Sequence, residues 1–298
     1  MAGANENGSD RFPVPFIVGV ARSGTTLLRL MLDAHPDLAI PPETHFVPRF
    51  AKLVERGAGP AEAISFLTEH PRWGDLGLDA DELRARFEAL EPFTAGDALR
   101  ALYALYAEGK GKPRWGDKSP THLKRMARIH KALPEAVFLH VIRDGRDAAL
   151  SLVERSWGPD TIPDAATTWK EGIEKARRQA RRKLPPGAYL EVRYEELVRA
   201  PEETLREAAR AIDLPWDERM LRYYEVADER MAEVVRDFKS GGGRQITAAE
   251  RAAQHALVRE PPRADRIGRW RTELPADARR QFEEIAGELL AELGYPLS

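Results

Sequence analysis

A chain of 298 residues, 43% hydrophobic and 32% charged, can bury a sizeable core and is composed like an ordered globular protein, not a disordered one. Its 46 basic and 48 acidic residues leave a formal net charge of −2, which gives no overall field for nucleic acid or an acidic membrane surface. With no cysteine, disulfides, thiolate metal sites and cysteine nucleophiles are all excluded.

Residues Met1 to Phe12 are polar and read as a disordered or frayed start without the apolar stretch of a secretory signal. No run approaches the ~18 apolar residues that suggest a membrane span. Together with the missing cysteines, this gives the expectation of a cytoplasmic protein with no membrane contact. The first strand is predicted over Phe16–Val20, followed by a Gly-containing loop and a helix over Thr25–Ala34. Helical patterns follow at Phe46–Arg56, Ala61–Thr68, Ala80–Leu90, Gly96–Glu108 and Pro120–Leu133. A second strand falls at Val137–Ile142, with helices at Arg146–Arg155 and Thr167–Arg182, then a third strand at Ala188–Val192 and a helix at Pro201–Ile212. Gly241 to Gly243 and Pro261-Pro262 bracket a segment expected to form a cap or substrate loop, and a last helix runs over Pro275–Leu293 before Gly294. Strands alternating with amphipathic helices imply an α/β fold, a P-loop-type parallel sheet flanked by helices with helical insertions. The expected organisation is a single domain over 13–298, with insertions that shape an acceptor pocket at about 46–111, 157–183 and 240–262.

The loop Gly19–Thr26 reads Gly-Val-Ala-Arg-Ser-Gly-Thr-Thr and opens the first helix. Backbone N–H groups at a helix start are a phosphate site, and Arg22, Ser23, Thr25 and Thr26 add a cation and three hydroxyls. In the nucleotide-hydrolase loop a Lys follows the second Gly and reaches the β- and γ-phosphates, whereas Thr25 stands there in this chain. The loop is suited to a phosphate group and poorly suited to splitting a triphosphate. A second signal is Arg143-Asp144-Gly145-Arg146-Asp147 at the end of a predicted strand, with Ser151 about two helical turns further on. Arg143 can take a phosphate oxygen pair and Ser151 can complete the shell. Taken alone, that segment is equally a charged turn whose residues pair with one another. Because ligands of parallel sheets bind beyond the carboxyl ends of the strands, Arg22 and Arg143 are expected to face one site.

These two elements, in type, order and spacing, resemble the sulfotransferases that use 3′-phosphoadenosine-5′-phosphosulfate as donor and leave adenosine 3′,5′-bisphosphate. In that family the first loop, here Arg22, Ser23, Gly24, Thr25 and Thr26, binds the 5′-phosphosulfate, and the strand-end Arg with its Ser, here Arg143 and Ser151, binds the 3′-phosphate. Leu30-Met31-Leu32-Asp33-Ala34-His35-Pro36 followed by Pro42-Glu43-Thr44 is most similar to the protein-tyrosine sulfotransferase branch and its bacterial relatives. The resemblance implies that Glu43 is the catalytic base and that Lys118, in Gly116-Asp117-Lys118-Ser119-Pro120, contacts the bridging oxygen. It also implies cofactor contacts from Tyr194 and from Gly268, Arg269 and Trp270, with Arg22 assisting at the leaving phosphate. No metal is called for. Cytosolic members use a His as base, which leaves His45 and His122 as alternatives to Glu43. The branch forms dimers, so the resemblance leaves room for a homodimer.

Acceptor identity is open at this stage between a small molecule, a sugar hydroxyl and a peptide tyrosine. A P-loop small-molecule kinase and a non-catalytic nucleotide-binding protein are the alternative functions; the missing Gly-Lys-Ser/Thr speaks against the first. The basic run Arg177-Arg178-Gln179-Ala180-Arg181-Arg182-Lys183 has no interleaved aromatics and reads as a solvated face, so no nucleic-acid partner is expected. His70, His130, His140 and His255 show no metal-ligand spacing.

Overall fold

The computed structural model describes residues 12–153, 158–233, 237–239, 245–248, 250 and 259–298. The expected frayed start, apart from Phe12, and most of the 240–262 segment lie outside the described residues, as do Trp157 and His255.

The apolar run Val14–Gly19 is buried at every position and forms β1 at the middle of the molecule. It pairs in parallel with β5 (Ala136–Ile142), Phe16 opposite Phe138 and Gly19 opposite Val141. Strand β6 (Tyr189–Arg193) joins the far side of β5, also parallel, with Val192 opposite Val141. On the other side of β1 lies β4 (Asp117–Lys118), giving the order β4-β1-β5-β6. Immediately before it, β3 (Arg114–Trp115) pairs outward with β2 (Leu38–Ala39). The extended segment 114–118 is thus shared between two partners, and Gly116 is the point where it switches. A Cβ on Gly116 would lie 2.8 Å from the Pro15 ring, so only glycine allows this approach to β1.

Helices cover both faces of the sheet. On one, α2 (Val47–Glu55), α6 (Ala95–Gly109), α7 (Met126–Ala132), α9 (Ile162–Lys183) and the C-terminal helix Ala276–Glu292 bury a core around Phe16, Phe138, Phe50, Trp169 and Phe282. On the other, α1 (Thr25–Asp33), α10 (Tyr194–Arg199) and α11 (Pro201–Ala211) pack on Ile17, Leu139 and Val192. This two-sided burial explains why β1 and β5 are nearly continuous apolar runs, whereas β6, at the sheet edge, is mostly half-buried and alternates Leu190 and Val192 with Glu191 and Arg193.

The three longer strands and most helices fall where the sequence puts them. The predicted helix 120–133 is a 3₁₀ turn over Pro120–Arg125 followed by α7. Helix α9 begins at Ile162, five residues before its predicted start, with the Thr161 hydroxyl capping the Asp164 N–H.

Candidate active site

All four strands of the central sheet point their carboxyl ends at one place. Beyond β1 stands the loop carrying Arg22 to Thr26, and Lys118 closes β4. Arg143 follows β5, and Tyr194 follows β6. Parallel pairing brings these four segments together although they are up to 172 residues apart in the chain.

The loop turns into α1 through Gly24, whose φ of +98° is the left-handed conformation that favours glycine. A side chain there would also strike the Tyr194 ring, at 2.4 Å from its Cδ2. Helix α1 begins without a side-chain cap and without an acidic residue in its first turn. Its positive end therefore opens towards the strand ends, a setting for an anion.

The structure takes Arg22 across to Ser151, in the segment that follows Arg143. Arg22 also has a positive φ, 70°, and its Nε donates to Ser151 Oγ at 2.8 Å. Ser151 is on α8 (Gly145–Val153), the helix that follows Arg143. The Arg143 guanidinium stacks 4.6 Å above the Tyr194 ring and donates to the Arg22 carbonyl (3.3 Å) and the Arg266 carbonyl (2.6 Å). Its Nε is buried without a hydrogen-bond partner among the described residues. A buried cationic donor left open, beside an Arg–Ser pair, fits an anion of phosphate type.

Asp147, which sequence reasoning passed over, ties this corner together. Its two carboxylate oxygens accept the N–H of Gly268 (2.7 Å) and of Trp270 (2.9 Å), and Arg143 Nη2 lies 3.8 Å from it. Burial pushes its carboxyl up, against the pull of Arg143 and the two N–H groups. Gly268 to Trp270 therefore lie against the Arg143 helix. Arg269 pairs with Glu273, and Trp270 is buried with its ring 3.5 Å from the Arg146 guanidinium. Gly268 and Trp270 reach this corner through their backbone N–H groups, and the Trp270 side chain is buried.

At the other end of the loop, Lys118 Nζ donates to Glu43 Oε1 at 2.6 Å and to Thr26 Oγ1 at 3.3 Å. The second Glu43 oxygen faces His45 Nε2 at 2.9 Å. Burial pushes the Glu43 carboxyl up, but Lys118 and His45 outweigh it and hold it well below the usual carboxylate range. Burial lowers Lys118, with Glu43 opposing. Of the two alternative bases, His45 touches Glu43, whereas His122 is buried against Phe16 with Nδ1 2.9 Å from Asp117 Oδ1.

Glu43 and His45 stand on a loop held from beneath by a buried polar network. Asp117 Oδ2 accepts from the Thr44 hydroxyl (2.7 Å) and the Tyr103 hydroxyl (2.8 Å). Ser119 Oγ accepts the backbone N–H of Thr44 (3.0 Å) and of His45 (3.1 Å). Despite burial, His122, Thr44 and Tyr103 hold the Asp117 carboxyl below its ordinary value. The tyrosine stacks on Trp115, ring centroids 4.7 Å apart, which fixes its hydroxyl. Sequence pattern gave no sign of this network beyond the quoted Gly116–Pro120 segment.

Among the described residues no group of three metal-ligating side chains converges, and no helix is long and apolar enough to cross a membrane.

A family model described as the sulfotransferase family matches residues 13–218. Protein-tyrosine sulfotransferase 1 of Danio rerio is 29% identical over 290 residues, covering 95% of this chain and 72% of that one. The corresponding Homo sapiens protein is 28% identical over 288 residues, covering 95% and 70%. Among solved structures, the sulfotransferase domain from the curacin biosynthetic pathway matches with a TM-score of 0.63 at 21% identity, over 97% of this chain and 100% of that domain. The structural match concerns the fold, a parallel α/β sheet flanked by helices.

These relatives correct one expectation. The chain was expected to be cytoplasmic, but protein-tyrosine sulfotransferases act on secreted proteins in the Golgi. The physical ground was weak from the start, since a protein without cysteine is compatible with a reducing or an oxidising compartment. With a family model spanning more than two thirds of its length and a parallel sheet whose strand ends carry the Arg22–Thr26 loop, Lys118 and Arg143, the chain belongs to the sulfotransferase family and is a sulfotransferase.

Proposed function

We propose that the protein transfers a sulfuryl group from 3′-phosphoadenosine-5′-phosphosulfate to the phenol of a tyrosine in a polypeptide, with Glu43 as base. The observation that carries this reading is the convergence of two candidate anion sites at one edge of the sheet: the uncapped start of α1, and Arg143 with Arg22 and Ser151. The open Nε of Arg143 supports a second phosphate there, which separates such a donor from ATP.

The donor supplies a sulfuryl group whose bond to the bridging oxygen breaks as a bond to the acceptor oxygen forms. Arg143, Ser151 and Arg22 would hold the 3′-phosphate, with Tyr194 packed under the Arg143 guanidinium and Gly268 beside it. Arg269 and Trp270 would serve by shaping that segment. Ser23, Gly24, Thr25 and Thr26 would present N–H and hydroxyl donors to the 5′ end. Lys118, which donates to Thr26 and Glu43, would neutralise charge on the bridging oxygen, and Glu43 would take the acceptor proton. Catalysis is then mostly positioning and charge stabilisation, as in phosphoryl transfer.

Tyrosine as acceptor is supported by the relatives' names and by the base itself. A carboxylate held low by Lys118 and a hydrogen bond from His45 is a weak base, which suits a phenol of pKa about 10 better than an aliphatic hydroxyl. Glu43→Gln is expected to lower transfer to a tyrosine peptide by about 10²- to 10⁴-fold while adenosine 3′,5′-bisphosphate still binds. Full turnover in that variant would remove Glu43 from the mechanism.

A further inference from the structure

Glu43 has two carboxylate oxygens and a different partner on each. Lys118 holds Oε1 and also touches Thr26 of the phosphate loop, so a bound anion competes with Glu43 for its charge. His45 holds Oε2 and is fixed elsewhere: its Nδ1 lies 2.9 Å from Thr121 Oγ1, and its backbone N–H donates to Ser119 Oγ. Its φ of +57° is a conformation that residues other than glycine rarely adopt, and one that the surrounding hydrogen bonds maintain. The side chain is 27% exposed and Thr121 is exposed, so the imidazole can exchange protons with water.

We propose that His45 is a positioning residue for Glu43: it keeps the carboxylate aimed at the acceptor when Lys118 is drawn to the donor. The inference rests on Glu43 being the base. Nε2–H donates to Glu43 while Nδ1 meets the Thr121 hydroxyl, which can donate or accept. Other titratable and charged groups in this neighbourhood are Lys118, across Glu43, and His70, which feels His45, Arg72 and Arg49. His70 is pushed down to about 4, by burial first and then by His45 and the two arginines, so it stays neutral where imidazoles ordinarily titrate.

The test sets kcat on a tyrosine peptide against the Kd for adenosine 3′,5′-bisphosphate. His45→Ala is expected to lower kcat by about 10- to 100-fold without changing that Kd. His45→Gln, which still donates to Oε2, is expected to recover most of that loss. Wild-type kcat in His45→Ala, or no recovery in His45→Gln, overturns the proposal. If Glu43→Gln is inactive while His45→Ala is not, only the role of His45 falls; if Glu43→Gln turns over normally, the base assignment falls with it.

Discussion

Arg143 shows how one side chain can be over-determined. Its ring-stacked guanidinium is held by Tyr194 below, two backbone carbonyls and Asp147 at the edge, yet keeps one buried N–H open. Removing it deletes a charge-assisted contact, worth about 1.5–3 kcal/mol, so Arg143→Ala is expected to raise the Kd for adenosine 3′,5′-bisphosphate by roughly 10- to 100-fold. Calorimetry checks this, and an unchanged Kd would take Arg143 out of the donor site. Gly24→Ala is a sharper probe of the loop. The added methyl meets the Tyr194 ring at 2.4 Å in a backbone conformation that disfavours a side chain, so donor binding is expected to be lost before the fold is. Arg143, Ser151 and the loop were legible in the sequence because each sits inside a contiguous motif. The role of Asp147, itself inside the Arg143–Asp147 run, and the pairing of His45 with Glu43 were not. Asp147 accepts from positions 121 and 123 residues away, and no local pattern encodes such a contact.

At the level of elements, the site depends on strand ends and on what lies beneath them. Strands β1 and β5 were readable as apolar runs buried on both faces, and β6 as a shorter run carrying Leu190 and Val192. Strands β2, β3 and β4 are two residues each, too short for any periodicity, and they exist because Gly116 lets the 114–118 segment approach β1. Beneath the Glu43 loop, Asp117 accepts from Thr44 on the loop and Tyr103 on α6, joining positions 73 and 14 residues distant. Asp117→Ala leaves two buried hydroxyls without their acceptor and is expected to destabilise the protein by about 2–4 kcal/mol in denaturant titrations. Since the folded-state carboxyl of Asp117 is lowered, its contribution is present above the unfolded-state value and is lost as pH falls through the folded one. The destabilisation caused by Asp117→Ala should accordingly be greatest near neutral pH and shrink in acid.

For the molecule as a whole, a parallel sheet brings four sequence-distant segments to one edge, and family membership follows from that arrangement together with the matched sequence. The acceptor side was the least legible, because segments such as 46–111 and 157–183 read as ordinary amphipathic helices whose packing partners are set only by the tertiary fold. The central claim is that the cleft is built for a donor with phosphates at both ends. The most direct measurement is a calorimetric titration with adenosine 3′,5′-bisphosphate, set against ATP with and without Mg²⁺. The bisphosphate is expected to bind at least about tenfold more tightly than ATP, a difference of about 1.4 kcal/mol, and indifferently to Mg²⁺. Tighter, Mg²⁺-dependent binding of ATP would contradict the account.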